Sequence, residues 1–340
     1  MKNYLLFVFY VLLISCGENR IIDNIELKRV WSHDQFSDST FFSKTISDIF
    51  TYSGNYYISD SFNDRVVCVD SSFVILKIFG KSGKGPGEFN FVGPIYITQD
   101  TLYAFDSRGG RINVFNVKSG SYVRQIVLEK NPDVRTKFFV YKNSIFISTP
   151  LFDYPITIFN SSGKIIGSLG ERDTLNNTLC KYFLYTANLM LNDNNEMICS
   201  FVSIPKIEIH NLVENKNAVL DLSEVSVVKN RLDEIEAGYK NLQNKTSQRI
   251  PNLFIYSFLD KNQLYLSYYS EFKNSVNVCN ALIISLEKSK MIKIQNMIFI
   301  NNPNDYQWFF PFGVFNNSVL VYESINSNFN YYRIPYGTEH

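Results

Sequence analysis

The sequence contains few of the residues from which many catalytic centres are built. Among its 340 residues only three are histidines, His33, His210 and His340, and the last of these is the terminal residue. Histidine-rich zinc sites and nucleophile–base pairs need such residues in number or in defined combinations. The count therefore argues against both kinds of site, and we interpret His210, which ends an alternating strand pattern, as a structural or surface residue.

The five cysteines show no C-x-x-C spacing. Cys68, Cys199 and Cys279 lie inside apolar strand patterns, so buried free thiols are predicted. In an oxidising compartment, a disulfide between Cys180 and Cys199 is the alternative. With neither a histidine cluster nor a cysteine cluster, the sequence predicts no metal site and no cofactor.

An excess of charge of either sign is also absent. The chain carries 33 basic and 32 acidic residues, a formal net charge of +1, and no long basic run. Binding to nucleic acid needs a concentrated positive surface, and a polybasic membrane patch needs a cluster of lysines and arginines. Both kinds of partner surface are therefore unexpected. With 45% hydrophobic and 16% aromatic residues, the chain has ample material for a large core.

The N-terminal apolar segment, Tyr4 to Ile14, follows Lys2 and is too short to span a membrane as a mature helix. It ends in Leu-Ile-Ser-Cys-Gly at residues 13–17, which resembles the bacterial lipoprotein signal. The resemblance implies cleavage after Ser15 and lipidation of Cys16, with palmitate among the expected acyl groups. An ordinary cleaved signal with an incidental cysteine is the alternative.

The residue after the cysteine is Gly17 rather than aspartate, so the inner-membrane retention rule for such lipoproteins does not apply. An outer-membrane lipoprotein is therefore expected, facing either the periplasm or the cell exterior. The predicted organisation is a signal peptide at 1–15, a lipid-anchored tether at 16–24 and one folded domain at 25–340.

Strand-like patterns recur along the whole chain, and a repeated pattern is the first feature to look for in a sequence. The second strand of each unit is predicted to begin at Asn55, Thr101, Ser144, Glu196, Gln263 and Ser318. Six units of about four short strands predict an all-β fold, a six-bladed β-propeller with four-stranded antiparallel blades; a sandwich is the alternative. The last unit has only three strands, and Ile25 to Trp31 can supply the fourth and close the ring.

The stretch from Phe79 to Phe115 is interpreted as a connection between two blades followed by the hairpin of the next. We expect its glycines to adopt positive φ angles and fold the connection back sharply; they are residues 80, 83, 85, 87 and 93. Asp106 and Arg111 then flank the hairpin turn, and Asp60 and Arg65 repeat the same spacing upstream.

This stretch resembles the NHL-type propeller repeat, and the chain is similar to NHL-like or TolB-like six-bladed propeller lipoproteins of Gram-negative bacteria. The matching residues are Gly80, Gly83, Gly85, Gly87, Phe89, Pro94, Leu102, Tyr103, Asp106, Arg111, Ile112, Val114 and Phe115. The resemblance covers about a third of the chain. The two Asp/Arg pairs are predicted to brace their hairpins; the alternative is a catalytic acid with an anion clamp.

One segment, Ser223 to Gln248, has helical periodicity and predicts a helical insertion at about 224–250. Asn230 and Asp233 resemble a capping box, and Leu232, Ile235, Tyr239 and Leu242 fall on one face. Such a helix either covers the side of a blade or acts as a lid or docking element.

In four-stranded meanders, the turns between strands two and three share one face with the connections between blades. Loops on a rigid scaffold commonly carry function, so this face is the candidate binding surface. Its candidate residues are Phe62, Arg108, Phe152, Tyr154, Tyr269 and Glu271.

The predicted function is a monomeric, lipid-anchored envelope protein that binds a protein, peptide or glycan and has no catalysis of its own. A metal-dependent propeller lyase or hydrolase, and a purely structural envelope scaffold, are the alternatives.

Overall fold

The computed structural model describes most of the predicted folded domain. The residues described are 23–33, 46–132, 136–170, 186–244, 252–273, 276–287, 290–300, 309–315, 317–323 and 328–334. The predicted signal peptide and Cys16 lie outside them. The described residues form strands and one helix, so the all-β prediction with a single helical insertion is confirmed.

The described chain opens with β1 (Asp23–His33), which belongs to the last sheet, and then builds four separate four-stranded sheets. Within each sheet, consecutive strands pair antiparallel in chain order. The first two sheets contain β2 (Ile46–Tyr52), β3 (Asn55–Asp60), β4 (Arg65–Val69), β5 (Ile75–Phe79), β6 (Val92–Thr98), β7 (Thr101–Asp106), β8 (Arg111–Asn116) and β9 (Tyr122–Val127). The next two contain β10 (Lys137–Tyr141), β11 (Ser144–Ser148), β12 (Ile156–Asn160), β13 (Ile165–Leu169), β14 (Ala187–Leu191), β15 (Glu196–Phe201), β16 (Lys206–Asn211) and β17 (Lys216–Asp221).

The remaining strands form one eight-stranded sheet in the order β18-β19-β20-β21-β1-β24-β23-β22. Its other strands are β18 (Tyr256–Asp260), β19 (Gln263–Lys273), β20 (Val276–Glu287), β21 (Lys290–Ile300), β22 (Phe309–Phe315), β23 (Ser318–Glu323) and β24 (Asn328–Arg333). The expectation of six separate four-stranded sheets therefore differs from the structure. The physical reason is that β1 pairs on both sides, parallel with β21 and antiparallel with β24, and so joins the last two meanders.

The predicted pairing of the N-terminal strand with the last hairpin is present. Lys28 lies opposite Arg333, and the register continues to His33 opposite Phe329. Ile25 and Leu27 are buried beside Phe299 and Tyr332. The strand thus contributes both backbone pairing and apolar contacts to the sheet.

The arrangement is propeller-like. The first strands of successive units lie side by side, β2 beside β6, then β10, β14, β18 and β22, and β22 returns to β2. The second strands begin at all six predicted residues. Aromatic side chains fill the space between neighbouring sheets, as with Phe79, Phe89 and Phe115 between the first two. Burial of such large apolar side chains is the main stabilising contribution to the fold.

The glycine-rich connection folds back as expected, although not at every glycine. Gly80 and Gly87 have φ angles of +72° and +73°, and Gly83 is also positive, whereas Gly85 and Gly93 are not. A Cβ at Gly80 would overlap the ring of Phe89, which is fully buried there. The position therefore requires glycine both for its backbone conformation and for the space it leaves.

The helix α1 (Ser226–Gln243) lies inside the predicted segment, but it begins before Asn230, so the capping box at Asn230 and Asp233 is wrong. The carbonyl of Val225 accepts the first N–H groups, from Val228 and Lys229. Val228 and Ile235 are buried in the cluster that joins the fourth sheet to the eight-stranded sheet. The helix therefore covers the side of the ring, which is the first of the two interpretations given above.

Cys68 and Cys199 are free and buried, which excludes the alternative disulfide to Cys199. Cys180 and the side chain of Cys279 lie outside the described residues. Among the helices of the described chain, none has the length and apolar character needed to cross a bilayer.

Candidate functional site

A cavity of about 330 Å³ lies where the first strands of all the units meet. Its wall includes residues of β2, β6, β10, β14, β18 and β22. Because each of these strands starts at a connection between units, their starting ends lie at the same end of the ring as the turns between second and third strands. Since the first strands of all six units surround it, the cavity is the central channel of the propeller-like ring.

Three polar groups meet in this channel around Asp48, the third residue of β2. Asp48 is 7% exposed, and its carboxylate accepts hydrogen bonds from the backbone N–H of Ile95 at 3.1 Å and the hydroxyl of Tyr256 at 2.9 Å. The ammonium of Lys137 lies 3.4 Å from the same carboxylate. The side chains of Asp48, Lys137 and Tyr256 come from β2, β10 and β18, which are alternate first strands, so they cross-link the channel wall.

The environment of Tyr256 keeps its hydroxyl protonated. Burial, together with the negative charge of Asp48 and the hydrogen bond to it, raises the pKa of Tyr256 well above its ordinary value. The ammonium of Lys137 also lies 5.0 Å from the centre of the Tyr256 ring, a cation–π distance. Tyr256 therefore acts as a permanent donor to Asp48.

Other polar groups in the channel wall have no partner. Asn188, the second residue of β14, is 7% exposed, and its side-chain Nδ2 makes no hydrogen bond. The hydroxyl of Ser257 on β18 is likewise buried and unpaired. Leaving a buried polar group unpaired is unfavourable by about 1–3 kcal/mol. Both residues belong to strands that line the channel, and both atoms are fully buried behind its wall.

The rest of the wall is largely apolar. Phe50 and Tyr96 meet edge to face, with ring centres 5.3 Å apart, and Phe138 and Phe258 also line the channel. Asp260, the last residue of β18, is also in the wall, and burial raises the pKa of its carboxyl, partly opposed by Lys261. The channel thus combines a polar cluster at the start of its strands with aromatic walls.

The residues predicted for the binding face lie in different environments. Phe62 is 75% exposed, and Arg108 is exposed with its guanidinium 5.1 Å from the ring centre of Phe91. Tyr154 is half-buried. Phe152 is buried against Phe159 and so offers little surface to a partner.

The side chains of Tyr269 and Glu271 lie outside the described residues. None of the described candidates lines the channel, although their turns lie at the end where its polar cluster is found.

The two Asp/Arg pairs form the same contact in both copies. Arg65 Nε donates to Asp60 and Arg111 Nε donates to Asp106, each at 3.0 Å, and both carboxylates are fully buried. Asp106 also accepts the N–H groups of Asn90 and Gly109. These pairs are absent from the channel wall and tie each hairpin turn to its surroundings.

Arg111 extends this bracing to the glycine-rich connection. Its guanidinium donates to the carbonyls of Lys84, Gly85 and Glu88 at 2.9 to 3.3 Å. One side chain therefore holds the hairpin of the second sheet and the connection leading into it.

The sequence interpretation missed Asp48, Lys137 and Asn188. Their signal is a polar residue among the first three positions of an otherwise apolar first strand, as in Ile-Ser-Asp-Ile-Phe, Lys-Phe-Phe-Val and Ala-Asn-Leu-Met. Only the ring brings these positions together. Among the described residues, no group of three histidine, cysteine or acidic side chains could hold a metal ion.

No family model and no curated protein sequence matches the chain. Solved structures do match the chain in fold. An exported protein of Bacteroides fragilis, described as putative, and a member of the DUF4221 family from Bacteroides vulgatus each superpose with a TM-score of 0.60 at 11% and 12% identity. They cover 92% and 93% of this chain and 99% of their own.

A virginiamycin B lyase from Staphylococcus aureus is also similar, with a TM-score of 0.51 at 10% identity, covering 90% of this chain and 99% of its own. At these identities the likeness is one of fold. It is in keeping with the propeller-like arrangement of the strands.

Proposed function

We propose that the protein is a lipid-anchored β-propeller of the cell envelope that binds a ligand in its central channel and has no catalysis of its own. The observation that carries the proposal is the cavity of about 330 Å³, whose wall combines the polar cluster of Asp48, Lys137 and Tyr256 with aromatic side chains. Ligand sites in proteins are concave and mostly apolar, with a few placed polar groups. The channel has this combination.

The proposal includes six blades. In this interpretation the eight-stranded sheet is two blades whose outermost strands have joined. One blade is β18 to β21, and the other is β22 to β24 with β1 as its outer strand. Two observations support the interpretation of six blades. Six first strands surround the cavity. Every unit also contains four strands when β1 is counted with the last unit.

The proposed location is the outer membrane, with the domain on its periplasmic side or at the cell surface. The lipoprotein-like motif around Cys16 is the main support. The similar fold of an exported Bacteroides fragilis protein is in keeping with it.

The size of the cavity favours a small molecule, or a short end of a peptide or glycan, over a folded partner. Ligand pockets commonly enclose about 300–1,000 Å³, and this channel lies at the lower end of that range. A protein partner would instead contact the exposed turns, where Phe62 and Arg108 lie.

Two matched tryptophan substitutions test whether the channel is the site. Leu191→Trp fills the cavity, because Leu191 lies in its wall, whereas Leu151→Trp adds the same bulk to an exposed turn residue. Small molecules from envelope extracts would be screened against the purified full chain by native mass spectrometry and thermal shift. We expect ligands to be lost with Leu191→Trp and kept with Leu151→Trp.

The opposite pattern would place the site on the turns, and retention of every ligand by both folded variants would overturn the channel proposal. Stoichiometric calcium or zinc, whose removal abolishes a measurable turnover, would instead support the metal-dependent lyase or hydrolase. Elemental analysis of the purified protein supplies this measurement.

A further inference from the structure

We infer that the ligand of the central channel is a small organic cation, a protonated amine with an apolar body. Its ammonium group would lie at the carboxylate of Asp260, and its body would lie along the aromatic wall at Phe50 and Tyr96. The inference rests on the proposed function of the channel and adds the chemical class of the ligand.

The first step is the charge of the channel wall. Its charged residues are Asp48, Lys137 and Asp260. The ammonium of Lys137 is paired with the carboxylate of Asp48 at 3.4 Å, so these two charges offset each other. The wall therefore keeps one negative charge, that of Asp260, which no other residue of the wall neutralises.

The second step is that the carboxylate of Asp260 is reachable and unpaired. The residue is half-buried, and its oxygens are not among the enclosed polar atoms of the described chain. Within the described residues this carboxylate forms no hydrogen bond and no ion pair, and the neighbouring Lys261 acts on it only through its charge. Burial raises the pKa of the Asp260 carboxyl because its charged form is poorly solvated. A cation beside the carboxylate would stabilise that form.

The third step is that the wall is layered along the channel. The first strands β2, β6, β10 and β18 all end in two-residue turns, so positions counted back from their ends lie at matching levels. The polar cluster lies four residues before the ends, and the rings lie two residues before them, at Phe50, Tyr96 and Phe258. Asp260 is the last residue of β18. With a rise of about 3.3 Å per residue, it lies about 7 Å along the strand from the rings and about 13 Å from the polar cluster.

A carboxylate next to aromatic rings is a combination that suits an organic cation. An ammonium donates strong, charge-assisted hydrogen bonds to a carboxylate, and the faces of aromatic rings attract cations. The rings of Phe50 and Tyr96 are half-buried, so they offer surface to the apolar body of such a molecule. A metal ion would need several oxygen ligands, and the described residues bring no three acidic, histidine or cysteine side chains together.

The volume sets the size of the ligand. At about 30 Å³ per water molecule, 330 Å³ corresponds to about eleven waters. A molecule of about ten non-hydrogen atoms fits this space. With its ammonium at Asp260, its body would extend past the rings toward the polar cluster.

The test compares amines with alcohols of the same shape. Phenethylamine is paired with 2-phenylethanol, and hexylamine with 1-hexanol, at about pH 7, where the amines are protonated. Affinity for the detergent-solubilised full chain is measured by titration in ligand-observed NMR, with the detergent alone as the blank. We expect each amine to bind at least about fivefold more tightly than its alcohol, because only the amine presents a positive charge to Asp260.

Two matched variants test the position of the ammonium group. Asp260→Asn removes the charge from the channel wall, whereas Asp193→Asn removes the same charge from an exposed turn that follows β14 at the same end of the ring. Both variants should keep the melting temperature of the wild type, since the Asp260 carboxylate has no protein partner to lose. Only Asp260→Asn should weaken binding of the amines, by at least about fivefold, and it should leave the alcohols unchanged.

The inference is overturned if the alcohols bind as tightly as the amines, if neither amine binds, or if Asp260→Asn leaves the affinity for the amines unchanged. An equal loss with Asp193→Asn would also overturn it, because the effect would then come from the net charge and not from contact. Failure of the inference is distinguishable from failure of the channel proposal. If a neutral ligand binds the wild type and is lost with Leu191→Trp, the channel remains the site and only the cation class is wrong.

Discussion

Asp106 shows how much one buried side chain contributes to a hairpin. Its carboxylate is fully buried and accepts from Asn90, Gly109 and Arg111. We predict that Asp106→Asn lowers the free energy of unfolding by about 1–3 kcal/mol, because an amide cannot replace a charged acceptor of several donors. Chemical unfolding of the full chain measures this.

The matched control for Asp106→Asn is Glu214→Gln, since Glu214 forms an ion pair with Lys216 in which both side chains are largely exposed. It should change stability by less than about 0.5 kcal/mol. Full stability of Asp106→Asn combined with loss of ligand binding would contradict the bracing role and move the pair into the binding site.

A second prediction at this scale concerns the alkaline limit of stability. Burial raises the pKa of Tyr96 from 10.0 to about 12. Between these pH values the unfolded chain releases a proton that the folded chain keeps, so unfolding becomes more favourable as pH rises. The stability from this phenol is fully present below pH 10 and is lost on the way to about pH 12.

The substitution Tyr96→Phe should therefore flatten the fall in unfolding free energy between pH 10 and 12, while other buried tyrosines preserve part of it. Urea unfolding at several pH values measures this. Parallel curves for the variant and the wild type would show that Tyr96 is not protected from ionisation.

At the scale of elements, β1 is the strand whose removal the ring should tolerate least. It covers the edges of both β21 and β24, and Leu27 is fully buried. A mature chain that starts at Asp34 would leave two bare strand edges, which favour aggregation. We predict less cooperative unfolding or aggregation, compared with a chain that starts at Asp23, in calorimetry and light scattering. Equal melting of the two chains would show that β1 does not close the ring.

Much of the element order could be predicted from the sequence, because local patterns determine it. The second strands combine β-branched and aromatic residues with turn residues in front of them, as at Asn55 and Gln263, and each begins where it was placed. The Asp/Arg pairs could be recognised because both partners lie within one hairpin.

Features that depend on distant contacts could not be predicted. The parallel pairing of β1 with β21 joins residues that are far apart in the sequence, from Asp23 opposite Gln295 to Lys28 opposite Ile300, and no local pattern encodes it. The same holds for the channel site, since Asp48, Lys137 and Tyr256 meet only after the ring has formed. The capping box of α1 was misplaced at Asn230 because Ser226 and its neighbours lack the capping-box pattern.

At the scale of the whole molecule, the predicted lipid anchor decides where the ring is held. Cys16→Ser removes the thiol of the lipoprotein-like motif, so we predict that the protein moves from the membrane fraction to the soluble fraction. Cell fractionation, with the N-terminal mass of the wild type, measures this. Cys68→Ser is the control and should not alter partition, since that thiol is buried in the fold. Unchanged partition of Cys16→Ser, with an unmodified wild-type N-terminus, would refute the anchor.

The position of β1 also fixes the order in which the protein can mature. A ribosome produces this strand before the rest of the domain, whereas its two partners, β21 and β24, follow the strands of the first four sheets. Closing a loop of roughly 300 residues is entropically unfavourable and slow. The strand must therefore stay unpaired until both partner strands have been made. Any factor that shields a short apolar strand during this interval, such as a chaperone, would determine the yield of the closed ring.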